Sequence, residues 1–313
     1  MNFPVFDLHC DTVSEICRKN LSLRSNQLHI DLERGKTLPG YTQCFGFWST
    51  TDLPLPKGMK IEELFWRQVS YVQDELDKNK DLIRLTRTGD DVRKNAAEGL
   101  MSAIFTIEGP ANIAFDPSKL QKLYNLGFRI SSLGWNEKNC LTGSQATGGG
   151  LTKRGREYVK ECQRVGILVD VSHISDEAFW QIMDITEKPV IATHSNSRSL
   201  WDHPRNLTDE MFRAICQSGG VAGFNMYPDI IGANPDLDTC CDHIFRFLEL
   251  DPDGTHIALG GDLDGIGETP AGFAGVQDYP KLAQKLLERG LDENTVMNIF
   301  WNNALGVIDK CSM

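Results

Sequence analysis

The chain has 313 residues, 41% of them apolar and 24% charged, and a formal net charge of −11. That charge excludes nucleic acid or an anionic membrane surface as the main partner, since either needs a basic face. No run of about 18 apolar residues is present to span a bilayer.

Short runs rich in β-branched and aromatic residues recur along the chain, each ending in polar or glycine-bearing residues. In order, the predicted strands are Phe3–His9, Thr42–Trp48, Ser102–Glu108, Phe128–Leu133, Ile167–Ser172, Val190–His194, Gly220–Asn225 and Ile257–Asp262. Helical periodicity fills most of the gaps, over Ile61–Asn79, Ser118–Leu126, Lys153–Val165, Asp176–Ile185, Asp209–Gln217 and Cys240–Leu248. Ser118, Ser175 and Thr208 stand where N-caps belong. Gly127, Gly166 and Gly219 stand where helices should stop before the next strand. Eight alternating strands and helices predict one (β/α)₈ TIM-type barrel spanning residues 1–313. An open doubly wound sheet is the alternative, but no G-x-G-x-x-G follows the first strand. The connections from Thr12 to Tyr41 and from Thr50 to Leu100 are long enough to carry extra elements, and Thr142–Gly150 is a glycine-rich loop.

The polar residues fall at the strand ends. Strand one closes on His9-Cys10-Asp11, and residues two apart share a face, so His9 and Asp11 should enter the barrel mouth while Cys10 points away. Glu108 closes strand three, His173 follows strand five, His194 closes strand six, and Asp262 closes strand eight. Barrel enzymes place their chemistry on that face. A lone strand-end histidine is more often structural than a ligand, but three histidines and three acids converging by register indicate a metal site. Imidazole and carboxylate without thiolate suit Zn²⁺, and also Mn²⁺, Co²⁺ or Fe²⁺. Five ligands exceed what one open catalytic zinc takes, so two Zn²⁺ are expected. Glu108 bridges them, its neighbour Gly109 leaving space for both, and Asp262 carries protons beside the bridging hydroxide that attacks the substrate.

With these residues in place, the chain resembles the renal or membrane dipeptidase family, especially its soluble bacterial members, over residues 4–308. The motifs are Asp7-Leu8-His9-Cys10-Asp11-Thr12, Ile107-Glu108-Gly109-Pro110, Leu133-Gly134-Trp135-Asn136, Gly150-Leu151-Thr152, Val169-Asp170-Val171-Ser172-His173, Thr193-His194-Ser195-Asn196, His203-Pro204-Arg205-Asn206-Leu207 and Gly260-Gly261-Asp262-Leu263-Asp264-Gly265. The resemblance implies an amidohydrolase-like binuclear zinc barrel that hydrolyses small dipeptides, of L-Xaa-L-Xaa or L-Xaa-D-Xaa type. By motif, His9 and Asp11 bind one metal, His173 and His194 the other, and Glu108 bridges. Asp262 is the general acid/base, Asp264 a structural loop residue, and Arg205 the grip on the substrate's C-terminal carboxylate. Tyr227 matches a pocket aromatic, with a plain rim role standing beside that reading.

The chain departs from the animal members in two ways. They carry a histidine after strand four, where this chain has Trp135-Asn136, so Asn136 is the candidate neutral donor to the scissile carbonyl. Their secretory signal and lipid-anchor tail have no counterpart here. With nine scattered cysteines and no C-x-x-C, a cytoplasmic location follows; no membrane partner is expected, and a homodimer is the candidate assembly. His29, His203, His243 and His256 read as structural, with His203 beside Arg205 the one near the pocket. Two other functions compete: a different amidohydrolase reaction (deaminase or lactonase), and a metal-stabilised binding protein without turnover.

Overall fold

A computed structural model describes residues 3–311 apart from 52, 54 and 56. Nine strands run in chain order: β1 (Val5–Cys10), β2 (Tyr41–Trp48), β3 (Ile83–Leu85), β4 (Met101–Glu108), β5 (Phe128–Ser132), β6 (Leu168–Asp170), β7 (Val190–Ile191), β8 (Ala222–Phe224) and β9 (Ile257–Leu259). The spatial order β7-β6-β5-β4-β2-β1-β9-β8 is parallel throughout. A parallel bridge between Ala192 and Ala222 joins the two ends. The fold is the expected (β/α)₈ TIM-type barrel.

One apolar cluster takes Phe6, Leu8, Cys44, Ile104, Ile130, Leu168, Ile191 and Ala258 from seven barrel strands and Val221 from just before β8. It joins them to Trp301, Ala304, Leu305, Val307 and Ile308 of the C-terminal segment. This is the filled barrel interior, closed at the N-terminal end of the strands by the helix Asn303–Asp309. A second, larger cluster packs the outer strand faces against the surrounding helices.

The extra strand β3 pairs with the start of β4, Ile83 opposite Met101, below the point where β5 takes over that edge. It lies in the long Thr50–Leu100 connection, and at three residues it is too short to show a period of two. The expected strands after Ile167 are longer than the observed ones because side chains replace the ladder. Asp170 Oδ1 accepts from Ser172 N and Thr193 N, both at 2.9 Å, and Asn196 Oδ1 accepts from Asn225 N at 2.8 Å.

Ser175 and Thr208 cap their helices as expected, and Gly127, Gly166 and Gly219 are left-handed helix ends. Ser118 is not a cap. Asp116 accepts from Ser118 N and starts a 3-10 turn, Pro117–Lys119, ahead of the helix Leu120–Leu126. The helix expected from Cys240 begins at Leu237, where Asp236 and Thr239 form a capping box. None of the nine cysteines is in a disulfide. No helix of the described residues is long and apolar enough to cross a membrane.

Candidate metal centre and active site

The six residues expected at the mouth converge there. β1 slips register between Asp7 and Cys10, so after Phe6 and Leu8 face the interior it is His9, not Cys10, that turns to the mouth. Asp7 holds this irregularity: its Oδ1 accepts from His9 N and from Gly261 N, both at 3.0 Å, and Tyr279 OH binds its other oxygen. Cys10 is fully buried in the outer apolar cluster and takes no part in the site.

Glu108 lies between the two histidine sets. Its Oε2 is 3.3 Å from His9 Nε2, and its Oε1 is 2.9 Å from His173 Nε2 and 3.8 Å from His194 Nε2. His9 Nε2 also stands 3.4 Å from Asp11 Oδ2 and 3.8 Å from Asp262 Oδ1. His9 and His194 stack with centroids 4.0 Å apart. Among the described residues, two groups of side chains lie at metal-ligand spacing, His9–Glu108–His194 and His9–Asp11–Asp262. His9 Nε2 and Asp11 Oδ1 are buried without a hydrogen-bond partner. Burying such atoms unsatisfied is costly, and a cation between them removes that cost. The oxygen and imidazole donors therefore fit divalent metal.

The electrostatics agree with metal ligation. Burial, helped by the Arg205 charge, lowers His173 to about 4. Burial followed by the charges of His9, Arg205 and His173 holds His194 far below its usual value. Both shifts favour the neutral imidazole, the form that can bind a cation. Burial works against Glu108 ionising, but the His9 and His173 imidazoles beside it outweigh burial and keep its carboxyl below the usual range. Burial, with Asp11 and Glu108 as neighbouring carboxylates, pushes Asp262 up.

The expected role of Gly109 as open space for ions is corrected. Gly109 sits at φ +75, and a Cβ there would strike the Ser49 carbonyl, so this glycine serves the turn after β4. Gly265 makes room at the site, since a Cβ there would collide with Asp11 Oδ2 and Asp262 Oδ1. Three non-glycine residues of the site, His173, Asp262 and Asp264, are left-handed at φ 70, 57 and 69. Such strain persists where the surroundings enforce it. Asp264 does the loop work expected of it, accepting from Thr12 Oγ1 and His29 N, both at 2.6 Å.

A cavity of about 960 Å³ opens over these residues, also lined by Trp48, Trp135, Asn136, Gln145, His203, Arg205, Asn225 and Tyr227. Arg205 is only 8% exposed. It donates to Ser195 Oγ at 3.3 Å and to the His194 carbonyl at 3.2 Å. It has no carboxylate partner within 4.0 Å among the described residues. Tyr227, half-buried at the rim, donates its hydroxyl to Asp229 at 2.5 Å. Asn136 turns its side-chain oxygen to His173 Nδ1 at 2.9 Å.

His203, read from sequence as structural but near the pocket, lines the cavity beside Arg205, whereas Asn225 and Gln145 were not singled out by sequence, although Asn225 ended a predicted strand. Asn225 Nδ2 donates to Asp262 Oδ2 at 3.1 Å. His243 is structural as expected, bridging Ser197 N and the Ile231 carbonyl.

A family model described as membrane dipeptidase, peptidase family M19, matches residues 1–312. A Schizosaccharomyces pombe protein named as an uncharacterised dipeptidase is 32% identical over 98% of this chain and 80% of its own. A dipeptidase of Clonostachys rogersoniana is 29% identical over 90% of this chain and 76% of its own. The crystal structure of a family M19 metallopeptidase, dipeptidase AC, superposes with a TM-score of 0.90 at 25% identity, covering 99% of both chains.

Proposed function

The chain belongs to the membrane dipeptidase family and is a metal-dependent dipeptidase, and on that premise we propose that it works with two zinc ions bridged by Glu108. The observation that carries this reading is the two-sided Glu108 carboxylate, one oxygen toward His9 and the other toward His173 and His194. His9 with Asp11 would hold one ion, and His173 with His194 the second. Two such ions, when bound, supply Lewis acidity and a water of lowered pKa.

The chain's own groups supply the rest. Arg205 is a buried guanidinium with unused donors, suited to a bidentate grip on the C-terminal carboxylate of a dipeptide. That grip limits substrates to one residue beyond the scissile bond, of L or D configuration. Deamination or lactone opening would leave this charge without an anion. Asp262 stands beside His9, and its raised carboxyl lets it take a proton at Oδ1 and return it to the leaving amine. Asn136 and Tyr227 flank the substrate, Asn136 through its amide N–H toward the scissile carbonyl and Tyr227 at the rim. Nine free cysteines fit a reducing compartment, and a cytoplasmic location is part of this proposal.

The test is one sample carried through metal analysis and a panel of L-L dipeptides, L-D dipeptides and tripeptides. About two zinc ions per chain with dipeptide-only cleavage is expected. Equal cleavage of tripeptides, or full activity with one ion, would overturn it.

A further inference from the structure

The loop between β5 and the helix Lys153–Val165 closes on His173 from both sides. Asn136 Oδ1 lies 2.9 Å from His173 Nδ1 and accepts from Gln145 Nε2 at 2.6 Å. The Gln145 main-chain N–H donates to the His173 carbonyl at 2.9 Å. Ser144 Oγ donates to the Asn136 carbonyl at 2.7 Å, and Ser144 bridges Ile174.

A neutral imidazole carries one proton and binds a cation through the other nitrogen. His173 Nε2 faces Glu108 and His194, so ligation requires the proton on Nδ1 and an acceptor beside it. The Asn136 amide can offer either its oxygen or its NH₂ there, because a half-turn exchanges two ends of nearly equal shape. Only the oxygen serves. Gln145 Nε2 donates to that same oxygen, and with its N–H pointing there an Asn136 NH₂ in the same place would clash.

We infer that Gln145 is a positioning residue that, through Asn136 Oδ1, fixes His173 as the Nδ1–H tautomer and so keeps Nε2 free to bind metal. The inference rests on the two-ion reading above. Turning the Gln145 amide alone would set its Oε1 against Asn136 Oδ1, so the donor end of Gln145 and the oxygen of Asn136 go together.

Two substitutions separate this role from packing. Gln145→Glu keeps the shape but removes the donor. The new carboxylate draws the Asn136 NH₂ into the shared position, and the His173 proton moves to Nε2. Gln145→Met also removes the donor but leaves Asn136 free to keep its oxygen toward Nδ1. Zn²⁺ binding is measured by competition with a chromophoric chelator, with ¹⁵N shifts of His173 in the metal-free protein and thermal midpoints alongside. One of the two ions should bind about 10–100-fold more weakly in Gln145→Glu, with His173 shifted to the Nε2–H tautomer, and Gln145→Met should lose less. A packing role predicts the reverse order, because Glu is closer to Gln in shape. Wild-type affinity in Gln145→Glu, or a larger loss in Gln145→Met, overturns the inference. If Gln145→Glu does not fold, Asn136→Asp decides: it keeps an acceptor at Nδ1 and must retain both ions, and loss of one overturns the inference. Fewer than two ions in the unaltered protein would instead count against the two-ion reading.

Discussion

Asn225 donates its amide to Asp262 Oδ2 at 3.1 Å, which leaves Asp262 Oδ1 turned toward His9 Nε2 at 3.8 Å. One carboxylate oxygen is thus held by the scaffold and the other faces the reacting space. Asp262→Asn should keep the metal content and lower kcat by about 10²–10⁴, the usual range for a lost general acid/base. Metal analysis beside steady-state kinetics checks both halves; near-normal kcat would remove Asp262 from proton transfer.

Arg205 has no carboxylate partner among the described residues, so its charge is available to a substrate anion. Charged hydrogen bonds contribute about 1.5–3 kcal/mol. Arg205→Ala should therefore lower kcat/KM for dipeptides by roughly 10–100-fold without changing bound metal. Arg205→Lys should recover only part of this, because an ammonium cannot bind both oxygens at once. Unchanged kcat/KM in Arg205→Ala would assign the carboxylate grip elsewhere.

His194 is oriented through a relay. Thr193 Oγ1 donates to Asp170 Oδ2 at 2.6 Å and sits 2.7 Å from His194 Nδ1. Thr193→Val breaks the relay with almost no change of volume, and metal affinity should fall about 10–100-fold. Chelator competition reads this directly, and it should combine less than additively with Gln145→Glu, since both act on one ion.

Gly265 lies against both Asp11 and Asp262. Gly265→Ala should displace one of these carboxylates while the barrel, whose core lies below the mouth, stays folded. The expected result is a large loss of activity with a thermal midpoint within a few degrees of the unaltered protein. A large drop in midpoint would show that the loop is structural first.

Glu75 ties the helix Ile61–Lys78 to the segment after the helix Thr12–Lys19, accepting from Leu23 N at 2.7 Å, Ser22 Oγ at 3.1 Å and Lys78 Nζ at 2.9 Å. Burial alone would raise its carboxyl, but these donors outweigh burial and hold it below the ordinary 4.5. A depressed folded value means the stabilisation is present above 4.5 and lost as pH falls through the lower folded value. Glu75→Gln should cost about 1–2 kcal/mol at neutral pH. The difference from the unaltered protein should shrink in denaturant titrations below pH 4.5, and a constant difference would argue against this account.

The strand ends were legible because each one carries its own local signature. His9, Glu108, His173, His194 and Asp262 all follow a short β-branched or aromatic run, and a parallel barrel sends such ends to one face. Other features were not legible. The β3 strand exists only because the start of β4 has a free edge there. The C-terminal plug could not be separated by pattern from any other buried helix. Gln145 and Asn225 sit in ordinary polar surroundings in sequence, and their roles come from partners 9 and 37 residues away.

The barrel and the gathering of histidines and acids at its mouth were readable from the sequence, because strand periodicity and residue chemistry are local properties that survive without coordinates, whereas Arg205 as a candidate carboxylate grip came only with the resemblance to the dipeptidase family. How these side chains are aimed depends on the fold around them. The register slip in β1 that brings His9 inward, the left-handed backbone at His173 and Asp262, and the amide chain from Gln145 through Asn136 to His173 all depend on contacts between distant segments. Periodicity carries no information about such contacts, and they choose which nitrogen and which oxygen face the metal centre.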